Sequence, residues 1–410
     1  MALVGGVSLY LIPGSYIGMC EAGMLSPDGQ CKTFDNSANG FVPGEGAGAL
    51  ILKRLKDAEL DRDHIYGVII GAGINQDGKT NGITAPSVNS QITLEREIYD
   101  RYKIHPENIS YVEMHGTGTK LGDPIELEAL STVFKEKTKH KNYCAIGSVK
   151  SNIGHTSAAA GVASVQKTLL CLKHKMLVPT LNFKEHNVHF NFADSPFYIN
   201  TELRPWEAGI GMPRQAAVSS FGFSGTNAHL VIEEYIPRTP VLINTNEPVL
   251  FVLSAKNREQ LKNYAECMKS WSESDVELNL ADMAYTLQVG REAMDYRLAI
   301  LVDSRESLLK TLGGFIDNNS SVRVLTSQVN KNKDGVAIFE ADEDLESLLQ
   351  IWIKKGKLNK VADLWVKGLN IDWNQLYPGT KPHRISLPTY PFARERYWVP
   401  EIKTTATTTS

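Results

Sequence analysis

Three observations predict an α/β fold for this sequence. Apolar runs such as Tyr66–Ile70 and Ile109–Val112 are bounded by glycine or polar residues, as strands buried on both faces are. These runs alternate with helical patterns, and strand, helix, strand, helix is the order that covers a sheet with helices. Residues 157–174 carry small and apolar side chains nearly all round, which marks a helix packed at the centre of a domain.

Taken in order, Met1-Ala2-Leu3-Val4-Gly5-Gly6 reads as a buried strand and lacks the charged start of a signal peptide. A domain seldom begins inside a buried strand, which marks Met1 as a candidate internal start. Ser87–Tyr102 follows Pro86 and carries Ile92, Leu94 and Ile98; Pro124–Phe134 has proline in its first turn, where the missing N–H does no harm. Further strands at Phe197–Ile199, Ala216–Ser219 and His229–Ile232 would close the sheet of a first domain, residues 1–236. Residues 237–248, with prolines and asparagines, read as a linker. The second unit, 249–400, has strands at Leu250–Leu253 and Arg297–Val302 and helices at Arg258–Trp271 and Leu280–Leu287. Within it, the mostly polar Asp317–Asp344 reads as a mobile loop, and the threonine-rich 401–410 as a disordered tail.

Composition narrows the function. The 410 residues are 42% hydrophobic, enough to fill the cores of two or three domains. With 43 basic against 46 acidic side chains and a net charge of -3, there is no basic stripe, so neither nucleic acid nor a membrane surface is expected as a partner. No run approaches the roughly 18 apolar residues of a membrane span. Cys20, Cys31, Cys144, Cys171 and Cys267 are odd in number and form no C-x-x-C pair, which fits a reducing cytoplasm better than a disulfide framework.

Two histidine turns carry the candidate chemistry. In His115-Gly116-Thr117-Gly118-Thr119 a strand ends at an imidazole, the place where α/β proteins put their sites. Its glycines let another backbone approach, and its threonines offer hydroxyls to an extended polar ligand. Lys150-Ser151-Asn152-Ile153-Gly154-His155 sets the second imidazole just before a helix start at Thr156 or Ser157. The helix dipole and Lys150 both disfavour an imidazolium there, leaving a neutral donor suited to a developing oxyanion. The plainer alternative is a histidine that caps a helix.

Other patterns are weaker. The turn from Phe221 to His229 offers Ser224, but Thr226 stands where a nucleophile elbow needs glycine. Phe223, between flexible positions, reads either as a gate or as a buried aromatic on a turn. Gly44-Glu45-Gly46-Ala47-Gly48 is neither a dinucleotide fingerprint nor a P-loop. Cys171 and His174, followed by His186 and His189, mimic zinc spacing. They fall on a buried-looking helix and in a loop, and no metal is expected.

With these turns in order, joined by Ala22–Gly29 and Asn75–Gly78, the sequence resembles the β-ketoacyl synthase (ketosynthase) domain of modular type I polyketide synthases. The resemblance implies the C-terminal part of a thiolase-like fold followed by a small α/β flanking subdomain. It implies that His115 and His155 bind the thioester carbonyl of the extender unit and stabilise the enolate left by decarboxylation, with Lys150 organising the site. Thr117, Thr119 and Asn152 would lie along the substrate's phosphopantetheine arm, with Phe223 as the gate. No cofactor is implied, since substrates ride on the phosphopantetheine of an acyl carrier protein.

The family's nucleophilic cysteine lies upstream of the segment matching Met1, and none of the cysteines here takes its place. The chain alone is therefore expected to lack condensation. The implied partners are the carrier protein, an upstream polypeptide bearing the cysteine half, and a second copy in the intact homodimer. The alternatives are a non-catalytic carrier-binding remnant and a truncated reading of a longer gene. Leu253–Lys256, Met283–Arg291 and Leu387–Phe392 resemble the family's flanking subdomain, with no room for an acyltransferase before the last of them, as in assembly lines whose acyltransferase acts in trans. Tyr397 and Trp398 would fold back on the ketosynthase as an aromatic anchor.

Overall fold

The computed structural model describes residues 1–80, 86–209, 211–237, 248–274, 279–319, 324–329 and 343–398. It divides into two compact units, Met1–Leu55 with Ile65–Arg238, and Lys56–His64 with Thr239–Ser410. Chain order alone puts residues 56–64 in the first domain; they pack instead with the second. The cause is polar: Arg62 Nη1 lies 2.8 Å from His383 Nε2, and Arg384 bonds the Asp63 carboxylate. Most of the expected linker and all of the expected tail lie outside the described residues.

The first unit runs β1 (Ala2–Ser8), α1 (Gly14–Glu21), β2 (Gly46–Leu52), then, after α2 (Leu55–Leu60), which from Lys56 on belongs to the second unit, β3 (Val68–Gln76), α3 (Val88–Tyr102), β4 (Ile109–Glu113), α4 (Gly122–Lys137), β5 (Cys144–Gly147), α5 (Lys150–Ile153), α6 (Ala160–His174), β6 (Met176–Leu177), β7 (Phe197–Ile199), β8 (Arg204–Pro205), β9 (Gln215–Phe221) and β10 (Thr226–Glu233). Six strands form the main sheet in the order β3-β10-β9-β4-β5-β7. Its centre is parallel, β9 with β4 and β4 with β5, whereas β10 runs antiparallel to both of its neighbours. The helical face is apolar: Leu94, Ile98 and Tyr99 of α3 and Leu127, Leu130 and Phe134 of α4 pack on Ile109, Val112, Ile146 and Val231. Ser87 starts α3 by accepting the Ser90 N–H at 3.2 Å.

On the opposite face α6 packs Cys171 and Leu172 against Tyr111, Ala216, Val218 and Ile232. Its other side meets the β1–β2 antiparallel ribbon. Small residues are required there: a Cβ on Gly6 would sit 2.7 Å from the Ala158 carbonyl oxygen, and one on Gly48 2.7 Å from Val162. The expectation that the chain opens in a buried strand is corrected. Leu3 is 76% exposed, Val4, Val7, Leu9, Leu11, Ile12 and Ile17 are exposed too, and α1 buries nothing. Only the α6 side of the ribbon is covered.

The second unit is built on β11 (Val249–Ala255), α7 (Arg258–Ser274), α8 (Leu280–Val289), β12 (Tyr296–Val302), α9 (Arg305–Ile316) and β13 (Leu325–Gln328), followed by helices Glu343–Lys354 and Leu358–Lys367. Its antiparallel sheet has the order β11-β12-β13. β13 falls inside the polar stretch read as a loop, because pairing at the sheet edge supplies what its composition does not signal. Phe251, Leu253, Tyr264, Met268, Leu298, Ile300, Leu308 and Trp365 share the core. Arg297 is buried there as well. It donates to the carbonyls of Met294, Trp365 and Leu369 at 3.0, 2.8 and 3.1 Å and stacks over the Trp365 ring.

Candidate active site

Parallel pairing of β4 and β5 brings Glu113 level with Gly147, so the turns that follow them emerge side by side. These turns carry His115 and Lys150. Two buried carboxylates of α4 hold the first turn. Glu126 accepts the N–H groups of His115 and Gly116 at 2.7 and 2.9 Å, and Asp123 those of Gly118 and Phe34 at 3.1 and 2.8 Å. Gly116 has φ +40°, and a Cβ there would meet Thr33 at 2.6 Å, so the turn admits only glycine at that position.

His155 is pinned through its backbone. It donates its N–H to the Val42 carbonyl at 2.7 Å, and its own carbonyl accepts the Gly44 N–H at 3.0 Å. A Cβ on Gly44 would lie 2.5 Å from the Ile153 carbonyl oxygen, so this glycine serves close backbone approach and not a phosphate. The Ser157 N–H donates to His155 Nδ1 at 3.1 Å. In a neutral imidazole that leaves the proton on Nε2. The His155 ring stands edge-on to that of His115, centroids 5.4 Å apart at 84°.

Burial is the largest influence on both imidazoles. It holds His155 down to about 3, with the Lys150 charge adding to it, and holds His115 well below the usual range, with Lys150 and His155 adding. Neutrality is thus as expected, but its leading cause is desolvation rather than the helix dipole. Lys150 is 1% exposed; burial lowers its pKa, and Glu113 and Glu126 oppose that. Burial also raises Asp123 to about 6 and Glu126 to about 8.

The remaining expected residues divide. The Thr117 and Thr119 hydroxyls lie 3.1 Å apart beside His115. Asn152 is exposed, its Oδ1 3.3 Å from the Ser151 hydroxyl. Phe223 is 56% exposed at the tip of the β9–β10 turn, which rules out a buried aromatic. Asp77 holds that turn, donating its N–H to the Gly225 carbonyl at 2.8 Å and accepting Asn227 Nδ2 at 2.7 Å. Two aromatic walls escape the sequence reading: Phe221, 5.9 Å from His115, and Phe41, 5.1 Å from His155. Phe221 opens the Gly-rich turn and could have been found from that position; Phe41 carries no such signal.

Cys31, Cys144 and Cys171 are buried, and burial pushes each thiol up, away from the thiolate that a nucleophile needs. Cys20 and Cys267 are exposed. No hydrogen bond among the described residues joins a cysteine to either imidazole. The His186 ring lies 4.4 Å from that of Phe192 and 5.2 Å from that of Phe183. Tyr397 and Trp398 are both exposed, Arg396 lying over the Trp398 ring. No helix among the described residues is long and apolar enough to cross a membrane.

Comparison with known proteins matches the chain to three family models. These are Beta-ketoacyl synthase, N-terminal domain, over residues 1–58; Beta-ketoacyl synthase, C-terminal domain, over 66–184; and RhiE-like, KS-MAT linker domain, over 252–319. Polyketide synthase PksL of Bacillus subtilis (strain 168) is 68% identical over 402 residues, which are 98% of this chain and 9% of that protein. The chain thus spans less than a tenth of the length of that relative. The ketosynthase from module 6 of the bacillaene synthase of Bacillus subtilis 168 superimposes with a TM-score of 0.91 at 68% identity, covering 97% of this chain and 70% of that one. The ketosynthase from module 1 of the bacillaene synthase of Bacillus amyloliquefaciens FZB42 gives 0.86 at 41% identity, covering 97% and 68%.

Proposed function

The chain belongs to the β-ketoacyl synthase family of polyketide synthases, with that family's thiolase-like fold, and on that premise we propose that it carries the decarboxylation half of a ketosynthase site. The observation that supports this most is the pair of neutral imidazoles. His155 presents an Nε2–H because its Nδ1 is occupied by the Ser157 N–H, and His115 faces it within the same pocket of turns. A malonyl thioester whose carbonyl oxygen accepts from both rings loses carbon dioxide to give an enolate. Two fixed, uncharged donors in a site shielded by Phe41 and Phe221 stabilise that charge as it forms. Burial keeps the histidines neutral, and the charge of Lys150 adds to it. Thr117 and Thr119 offer hydroxyls to the pantetheine arm, Asn152 lies further out on the same route, and exposed Phe223 closes over the thioester.

In the intact enzyme this step follows acyl transfer to a cysteine and precedes carbon–carbon bond formation, a decarboxylative Claisen condensation. The family's cysteine lies upstream of the segment matching Met1, and the apolar surface of β1 and α1 supports a further piece of the fold seated there. The working assembly is a homodimer served by acyl carrier protein in the cytoplasm. The short spacing from Met283–Arg291 to Leu387–Phe392, with no nucleophile elbow between them, supports an acyltransferase acting in trans.

The test mixes this chain with a polypeptide bearing the cysteine half and follows acyl loading by intact mass and carbon dioxide release from a malonyl-pantetheine thioester. Acyl adduct and decarboxylation appearing together are expected. Stable association without either would overturn the enzymatic reading in favour of a carrier-binding remnant.

A further inference from the structure

Glu113 ends β4 two residues before His115 and is 0% exposed. Both of its carboxylate oxygens are committed, and to three different elements. Oε1 accepts the N–H of Val149, the residue before Lys150, at 2.6 Å. Oε2 accepts the Tyr111 hydroxyl within β4 at 2.6 Å and lies 2.7 Å from Lys167 Nζ on α6, the helix that follows His155. Lys167 is itself buried and lies over the Tyr111 ring. Gly147 passes so close that a Cβ there would come within 2.9 Å of the Tyr111 hydroxyl and 3.4 Å of Lys167 Nζ.

An isolated buried charge is costly, so a pair in this place must return something for its desolvation. A hydrophobic pair could fill the volume. It could not bond the Val149 N–H, which would then be buried without a partner. We propose that Glu113, with Lys167 as its counter-ion, is a positioning residue that holds the His115 turn, the Lys150 turn and the helix behind His155 in one register. Charge-assisted hydrogen bonds are short and directional, and the site tolerates little slack, since a misplacement of about 1 Å can cost on the order of a hundredfold in rate. Among the described residues neither side chain is bonded to an imidazole, and the pair acts through the backbone that carries the rings.

This deepens the function proposed above, but its test reads geometry before turnover. The full chain is labelled with 15N-histidine, and the imidazole cross-peaks of His115, His155 and His229 are followed in Lys167→Met, in Lys167→Arg, and in the doubly neutral Glu113→Gln with Lys167→Met. His229 is the internal control, because its partners are Ser219 and Tyr99, each at 3.0 Å. Lys167→Met is expected to shift the His115 and His155 cross-peaks together and leave that of His229 in place, and Lys167→Arg to restore them. Should Lys167→Met fail to fold, the double variant leaves no unpaired buried charge and is expected to show the same joint shift. Unmoved His115 and His155 cross-peaks in a folded variant, or all three histidines moving alike, would overturn the proposal. Absence of decarboxylation by the complemented parent chain counts instead against the functional reading and leaves this test standing.

Discussion

The two units solve the problem of burying side chains in opposite ways. The second packs Phe251, Tyr264, Met268, Leu298 and Trp365 into an apolar core whose buried guanidinium, that of Arg297, is satisfied by backbone carbonyls. The first buries Glu113, Asp123, Glu126, Lys150 and Lys167 beneath and around two polar turns. Stability alone does not call for that arrangement, since well-packed apolar residues commonly do as well as buried ions. What the ions provide is fixed direction: carboxylates gather backbone N–H groups, and those set where the imidazoles point. The second unit is built to persist, and the first to hold a geometry.

The contrast should break most sharply with Phe251→Ala. Truncating a fully buried phenylalanine costs about 3–5 kcal/mol, so denaturant unfolding should show the second unit's transition displaced by that amount. The imidazole cross-peaks of His115 and His155 should not move; if they do, the two cores are not independent.

The reverse experiment is His115→Ala. Losing one oxyanion donor raises the barrier by about 2.7–4 kcal/mol, roughly a hundredfold to a thousandfold in rate. Decarboxylation by the complemented enzyme should fall accordingly while the melting midpoint holds, because the His115 Nδ1 has no hydrogen-bond partner to lose. A large drop in melting temperature would show that the polar site is itself a stabilising core.

A subtler measurement follows pH. His229 is buried and its pKa is held to about 3 against an ordinary 6.5. The unfolded chain therefore binds a proton that the folded chain refuses, and the stability His229 contributes is complete above 6.5 and lost as pH falls toward 3. The stability gap between the parent and His229→Gln should be widest above pH 6.5 and narrow on acidification, read by urea midpoints at each pH. A gap that widens in acid would refute the neutral, doubly bonded imidazole.

Much of this is legible in the sequence where a local rule operates. Phe197–Ile199 is a strand at the residues its apolar run marks, and Ser87 caps the helix that its position before Val88 announces. The imidazole pair is visible because each histidine sits in a glycine turn at a strand or helix boundary. What stays hidden depends on partners distant in sequence. β13 exists through pairing with β12, residues 56–64 leave their neighbours through Arg62 and Asp63, and Phe41 reaches His155 only because residues 42–44 pair with 154–155. The exposure of β1 leaves no mark in the sequence, because an apolar run looks the same whether its second face is covered or bare.

That bare face has a colloidal consequence. Leu3, Val7, Leu9, Leu11, Ile12 and Ile17 present a continuous stretch of chain from which water gains by being excluded. A polypeptide cut to residues 1–410 would carry these side chains into solution, where rising concentration or added kosmotropic salt makes them mutual adhesives.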